Sequence, residues 1–484
     1  MKPASRILPA LFLAAAPLSA QQPDRSAPPA LGPAPSLSLP ALQRLELSNG
    51  LRVVLMEKHD VPLVQANLVV RVGTVHDPAG AVGLADFTGA MLDEGAGELD
   101  ALALADEIAF LGAELGVGVD EHTTRIALHT PLAKLDPALG LMADVALRPR
   151  FDPEELERQR RNRLTTLLQW HDEPRAVMQV LFPRVLFGEV HPYGHSDLGS
   201  EASIRAVSVD DMRAFHQRHF VPGNAVLIVV GDVTAAEVQP KLESAFGGWR
   251  GGNAPAVSVP AAPQVAGRQV YLVDKPGAAQ SEVVVARIGV ARSTEDYYAL
   301  LVMNTILGGS FASRLNQKLR EEKQYTYGAR SSFLFRPAPG PFAASASVQT
   351  DVTDSSLVEF MNELRAIREP VTDEELTRAR NFVALRFPGS FQSVAQIADR
   401  LEDLVVYGLP DDYFNQYVQR ILAVTKADVQ RVAEKYIDAD NVAIMVVGDR
   451  ERVEAGIRAL NLGPVHLMSI QDVLGSPPVI ESSD

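Results

Sequence analysis

The sequence predicts an α+β protein made of two homologous domains, each a mostly antiparallel sheet covered by helices on one face. Three observations carry this. Strand-like and helix-like segments are mixed without the strict βαβ alternation of a parallel sheet. The segment DDMRAFHQRHFVPGNAVLIVVGDV at 210–233 returns at 427–450 as ADVQRVAEKYIDADNVAIMVVGDR, a constant offset of 217 that sets Asp211 on Asp428, Asn224 on Asn441 and Gly231-Asp232 on Gly448-Asp449. Each copy reads as an amphipathic helix, a turn at the Asn and a buried strand, the mark of a duplicated unit. Finally, the Gly/Pro/Ala stretch GGNAPAVSVPAAPQVAG at 251–267 divides what remains into similar lengths. With 484 residues, 46% of them apolar, the chain has more than one core usually serves.

Along the chain, the N-terminus comes first. Lys2 and Arg6 precede an apolar run from Ile7 to Ala16 and small residues through Ala20, the pattern of a secretory signal over 1–20. The run is much shorter than the roughly 20 apolar residues that span a bilayer, so no stable membrane anchor is expected. The sequence has no cysteine. A periplasmic or secreted protein stabilised by packing alone is therefore expected. Residues 21–40, rich in Pro, Ala and Ser, cannot bury a core and read as a tether.

An N-terminal domain is expected over 41–250, the linker over 251–267, and a C-terminal domain over 268–463. Each domain opens with strand patterns, from Leu51 and from Val270. Helical stretches follow, among them GELDALALADEIAFLG and DSSLVEFMNELRAIREP, the second opened by Asp354 or Ser355 as N-cap. Residues 464–484 read as an irregular tail without a role. Lys and Arg total 45 against 60 Asp and Glu, a net charge of −15, and no basic run stands out, which argues against a nucleic-acid partner.

The strand hairpin ending in DPAG, followed by GLADFTGAMLDEGAG, resembles the start of the pitrilysin and insulinase (M16) family of zinc peptidases in its short processing-protease branch. The resemblance covers nearly all of the chain after the tether. It implies a helix bearing His-x-x-Glu-His: two His four residues apart share a zinc ion, and the Glu between them activates the metal-bound water. Here the first ligand position is Asp86, the base position Gly89 and the second ligand position Ala90. The third ligand of the family, a Glu on a later helix, falls near Thr166, and no acid occurs between Arg163 and Trp170. A catalytic zinc needs about three protein donors. The chain is therefore expected to bind no metal, with Asp86 a solvated or locally bonded carboxylate.

Other histidines offer no replacement. His191 and His195 are four apart in HPYGHSDLG, but Pro192 and Gly194 argue against a helix there. His122, His216 and His219 stand at spacings that do not converge, and read as surface or satisfied histidines.

The second half is different. LGGSFASRLNQKLREEKQYTYGAR at 307–330 is similar to the family's most recognisable motif of the C-terminal half, a small-residue turn, a helix bearing S-R-L and L-R, an acid, and a Tyr seven residues after the Arg. The pair is Arg320 and Tyr327. A helix from about Ser313 to Lys323 or Gln324 and then a strand are expected. The rigid donor fork of Arg and the phenol of Tyr suit a grip on a peptide carbonyl and its developing charge. Alternatively, Arg320 salt-bridges Glu321 or Glu322 and Tyr327 lies at a core edge; the surrounding motif favours the functional reading. Gly308 and Gly309, with Ser310, either let substrate backbone approach or merely stop the preceding helix.

What the resemblance implies is a zinc-free partner subunit. It would pair with a homologous chain that carries His-x-x-Glu-His and its zinc, and would supply substrate binding and the Arg320/Tyr327 pair in trans to the cleavage of peptides. Alone it is not expected to be active, and an exposed apolar surface is expected for pairing. Two rivals stand beside this reading: a structural scaffold resembling the core proteins of the respiratory bc1 complex, and an autonomous peptide-binding module working by strand addition.

Overall fold

In the computed structural model of the chain, which describes residues 37, 39–252 and 254–480, twelve strands form two sheets of six. The expected secretory signal, residues 1–20, and the tether, residues 21–40, lie outside the described residues except for positions 37, 39 and 40. The first sheet comprises β1 (Gln43–Glu46), β2 (Arg52–Glu57), β3 (Leu63–Val70), β4 (Glu114–Val119), β5 (Thr124–Pro131) and β6 (Ala225–Gly231), in the order β1-β2-β6-β3-β5-β4. The second comprises β7 (Gln269–Asp274), β8 (Gln280–Ile288), β9 (Thr326–Phe333), β10 (Pro341–Gln349), β11 (Ala443–Gly448) and β12 (Val465–Ser469), in the order β12-β7-β11-β8-β10-β9.

Five strands correspond between the sheets in order and direction. The pair β2·β6 is parallel, as is its counterpart β7·β11, and the neighbours beyond them run antiparallel. The offset of 217 extends beyond the repeated segment: β7 begins 217 residues after β2, β8 217 after β3, and the helix Lys426–Tyr436 217 after the helix Val209–His219. The edges break the symmetry. β1 pairs antiparallel with β2, whereas β12 pairs parallel with β7. The segment expected as an irregular tail instead supplies, over 465–474, the last strand and a short helix, Ile470–Leu474, whose Val473 is buried. The alternation VHLMS was too short to read as a strand beside so much irregular sequence.

Each half packs its own helices on one face of its sheet, as expected. In the first half Val53, Leu55, Leu68, Leu128 and Val229 face Phe87, Leu139, Leu164 and Phe215. The opposite face is covered too, by one helix from the other half. The helix Val394–Tyr407 lies over β3 and β6, where Val69, Val226, Ile228 and Val230 join the second half's core. Reciprocally, the helix Pro174–Phe187 lies over β8 and β11, where Val177, Met178 and Leu181 meet Val284, Ala286, Met445 and Val447. Burial on two faces explains why AVLIVVG and AIMVVG are apolar at every position before the Gly rather than alternating. Among the described residues no helix is long and apolar enough to cross a membrane.

Candidate functional site

The helix Leu84–Gly89 sits where the family pattern requires one, and its start is built carefully. Asp77, the acid of DPAG, accepts hydrogen bonds from the backbone N–H of Gly83 and of Ala85, both at 2.7 Å, and so caps the helix from outside it. Burial raises the Asp77 carboxyl to about 7, against the opposing pull of those two donors. Asp197, nearby and also buried, is raised to about 6.

At the first ligand position, Asp86 is the locally bonded carboxylate that one of the two expected readings describes, with its side chain 30% exposed. Its Oδ2 accepts from Arg163 Nη1 at 2.7 Å, and its carbonyl from Arg163 Nη2 at 3.2 Å. Arg163 comes from the helix Pro153–Trp170, one turn before Thr166, and its side chain is only 8% exposed. Its guanidinium lies 4.3 Å from the centroid of the Phe87 ring. A fixed organic cation therefore holds the carboxylate that stands in the ligand position. At the third ligand position Thr166 offers a hydroxyl already bonded to the Asn162 carbonyl, at 3.0 Å.

The base position is closed by packing. A Cβ added to Gly89 would lie 2.3 Å from Cγ2 of Val119 on β4, so the strand crosses the helix at the distance only glycine allows. Ala90 contributes no donor atom. Among the described residues, no group of three or more His, Asp or Glu is arranged to hold a metal. The residues present do not fit a zinc ion: the first donor is engaged by Arg163, and the other two positions carry none.

The histidines divide. His191 lies in a turn, its Nε2 3.0 Å from the Pro260 carbonyl and its Nδ1 accepting from Tyr193 N–H; no helix joins it to His195. His216 is buried with Nε2 on the Ala146 carbonyl at 2.9 Å, and His122 meets the Tyr193 hydroxyl. His219 departs from the expectation of a surface or satisfied residue. It is buried, and its Nδ1 has no hydrogen-bond partner among the described residues. Its ring packs edge-on against His76 at 5.3 Å, and burial lowers it to about 4, so the imidazole stays neutral there.

In the second half, the helix Tyr297–Leu307 ends where Gly308 and Gly309 both donate to the Asn304 carbonyl, at 2.8 and 2.7 Å. Gly308 is buried against β9: an added Cβ would lie 2.2 Å from Ser331 N, and that N–H donates to the Gly308 carbonyl. The close approach at Gly308 is thus taken by the chain's own strand and not left to a substrate. Gly309 is exposed, and Ser310 is half-buried with its hydroxyl on the Thr305 carbonyl.

Ser313 precedes a helical turn, Arg314–Asn316, that widens over Gln317–Glu322, where Lys323 N–H reaches back to the Lys318 carbonyl. Such π-type turns recur at functional sites. Gln324 then takes a left-handed conformation, φ 58°, before β9 begins at Thr326. On this turn Arg320 is 38% exposed, 3.4 Å from Glu321 and 4.6 Å over the Phe311 ring. Phe311 is itself 60% exposed. Tyr327 is 89% exposed and its hydroxyl makes no hydrogen bond among the described residues. The ion pair to Glu321 exists, as the alternative reading allowed, but Tyr327 is no core residue.

Arg163 and Val119 escaped the sequence reading. An arginine one turn from a missing ligand, on the same helix face, was a signal available in RNRLTT; Val119 was not, since nothing local says which strand crosses Gly89.

Comparison with known proteins agrees with this geometry. Residues 52–187 match the family described as insulinase (peptidase family M16), and residues 206–383 the family described as peptidase M16 inactive domain; together they span more than half of the chain. An uncharacterized zinc protease of Mycobacterium leprae is 29% identical over 290 residues, 60% of this chain and 65% of that protein. One of Streptomyces coelicolor is 24% identical over 399 residues, 81% of this chain and 86% of its own. Among solved structures, the peptidase M16 inactive domain from Pseudomonas fluorescens superposes with a TM-score of 0.79 at 26% identity, covering 84% of this chain and 97% of that one. With its duplicated sheets, its capped but ligand-free helix and these matches, the chain belongs to the M16, insulinase-like family of peptidase-like proteins.

Proposed function

We propose that this chain is the zinc-free partner subunit of an exported, heterodimeric M16 peptidase. It pairs with a homologous chain carrying His-x-x-Glu-His, helps to bind the peptide, and presents Arg320 and Tyr327 to the scissile region at the partner's zinc. The observation that carries this reading is a contrast within one molecule. The metal helix is closed by Arg163 and Val119, while Arg320, Phe311 and Tyr327 stand open on the surface. Arginine and tyrosine are among the residue types that dominate binding hot spots, and here they stand exposed beside the Phe311 ring on which Arg320 stacks.

Co-expression with a zinc-bearing homologue and assay of peptide cleavage tests the reading. The pair is expected to cut where neither chain alone does, and Arg320→Ala or Tyr327→Phe should lower kcat by about two to three orders of magnitude, the range for removing a donor to a developing oxyanion. Full activity of both variants, or cleavage by this chain alone, sinks the proposal.

A further inference from the structure

Between the helix Pro174–Phe187 and the outer face of β8, β9 and β10 lies a cavity of about 470 Å³. It exists because the floor is low. Ala343, Ser345 and Ser347, at alternate positions of β10, and Ser332 of β9 put no large side chain between strand and helix. The volume falls within the range of ligand pockets, about 300–1,000 Å³.

The cavity is graded along the strands. At one end Arg175 donates to Ser347 Oγ at 3.2 Å, and that hydroxyl donates to Glu282 Oε1 at 2.5 Å. Arg175 stands 4.0 Å from Glu282, a loose ion pair with Arg175 70% exposed. Next to this end, Arg330 lies opposite Ser345 and forms no hydrogen bond or ion pair among the described residues. At the other end Phe182, Leu334 and Pro341 make an apolar wall. The charged lining is two arginines against one glutamate, a local excess of positive charge in a chain whose net charge is −15.

We propose that this cavity binds the C-terminal end of a peptide, with the terminal carboxylate at Arg330 and Arg175 and an apolar terminal side chain toward Phe182 and Leu334. The inference rests on the peptide-handling reading above and narrows it to chains that end in a free carboxylate after an apolar residue. The planar fork of an arginine matches a carboxylate, and Arg330 gives up water rather than an ion pair within the chain to make that match.

The test uses the full chain and two hexapeptides ending in leucine, identical except that one ends in a free acid and the other in an amide. Binding is measured by calorimetry, with dodecanoate as a third ligand. The free acid is expected to bind about tenfold more tightly than the amide, the loss of one charge-assisted contact. Arg330→Gln should bring the free acid down to the amide and leave the amide unchanged. Ser345→Leu, which raises the floor, should abolish both, with an unaltered circular dichroism spectrum showing that it folds. Equal binding of acid and amide, or an Arg330→Gln variant that binds the acid as before, overturns the site while leaving the peptide reading intact. Dodecanoate that displaces the acid peptide and binds more tightly overturns it in favour of a lipid carboxylate. If no peptide binds, and the assembled pair cleaves peptides only when this chain is present, the site alone fails; if cleavage is also indifferent to this chain, both readings fail.

Discussion

Replacing Arg163 by Met is the sharpest probe of the closed metal helix. The substitution keeps an apolar stem against Phe87 but removes the cation from Asp86. Breaking a fully buried ion pair costs about 3–5 kcal/mol, and a hydrogen bond to a charged group is worth about 1.5–3 kcal/mol. Asp86 is 30% exposed and recovers part of its hydration, which moves the expectation to the lower figures, about 2 kcal/mol. Losing the cation over the Phe87 ring adds about 0.5–1 kcal/mol. Urea unfolding should therefore show Arg163→Met destabilised by about 2–3 kcal/mol, read as a fall in midpoint at constant m-value. Asp86→Asn, which leaves the guanidinium buried beside a neutral amide, should cost about 2 kcal/mol. The double variant should fall short of the sum of the singles by at least about 1 kcal/mol, because each single change already breaks the same contact. Being largely buried, the coupling should survive 0.5 M NaCl. Additivity within about 0.5 kcal/mol would mean that the guanidinium does not hold the carboxylate, and the account of the helix given above would be wrong.

Three further outcomes follow from the same region. Gly89→Ala gains about 1 kcal/mol of helix propensity but forces a stiff β-branched Val119 aside, for which overpacking costs about 1–3 kcal/mol; it should be neutral to destabilising alone and relatively stabilising in a Val119→Ala background, by the same urea measurement. The triple variant Asp86→His, Gly89→Glu, Ala90→His should fail to take up stoichiometric zinc in a calorimetric titration, since Arg163 remains and Thr166 gives no third donor. Because the folded Asp77 carboxyl is raised to about 7, the folded state holds a proton that the unfolded chain releases near pH 4, so its contribution is present below that value and is lost as pH rises toward 7. The slope is at most about 1.4 kcal/mol per pH unit, and Asp77→Asn should flatten it; Asp197 and Glu402, also raised by burial, remain in the variant and cancel in the difference.

What was legible in the sequence depended on range. The duplication could be read because a helix, a turn and a strand recur in unbroken order, and the periodicity of each is a local property. The absence of the zinc ligands was equally legible, since each ligand position is one letter in a fixed frame. What replaced them was not: Arg163 reaches Asp86 across 77 residues, and Val119 meets Gly89 only because β4 is an edge strand folded back over the helix. The covering of each sheet's second face was hidden for the same reason. VLIVVG is compatible with burial on two faces but does not say which helix supplies the second. The strand β12 was missed because five residues of alternation with a His at the second position look no different from loop until β7 is there to pair with them.

The linker at 251–267 shows how composition misleads about motion. Its glycines and prolines permit a hinge, yet the structure pins it. His191 meets the Pro260 carbonyl, Gln264 exchanges two hydrogen bonds with the backbone of Ile288, and Val259, Ala262 and Val265 pack beside the outer core of the second sheet. More decisively, opening the halves would lift Val394–Tyr407 off β3 and β6 and Pro174–Phe187 off β8 and β11. That exposes Val69, Ile228, Val284 and Met445, side chains worth roughly 1.5–3 kcal/mol each when buried. Two interlocked helices thus oppose a hinge by more than a domain's typical stability margin of 5–15 kcal/mol can readily spare. Placing a specific protease site within 254–258 and cutting it should leave both halves co-eluting in size-exclusion chromatography, with helicity unchanged. Halves that separate after the cut would show that the exchanged helices do not bind them together.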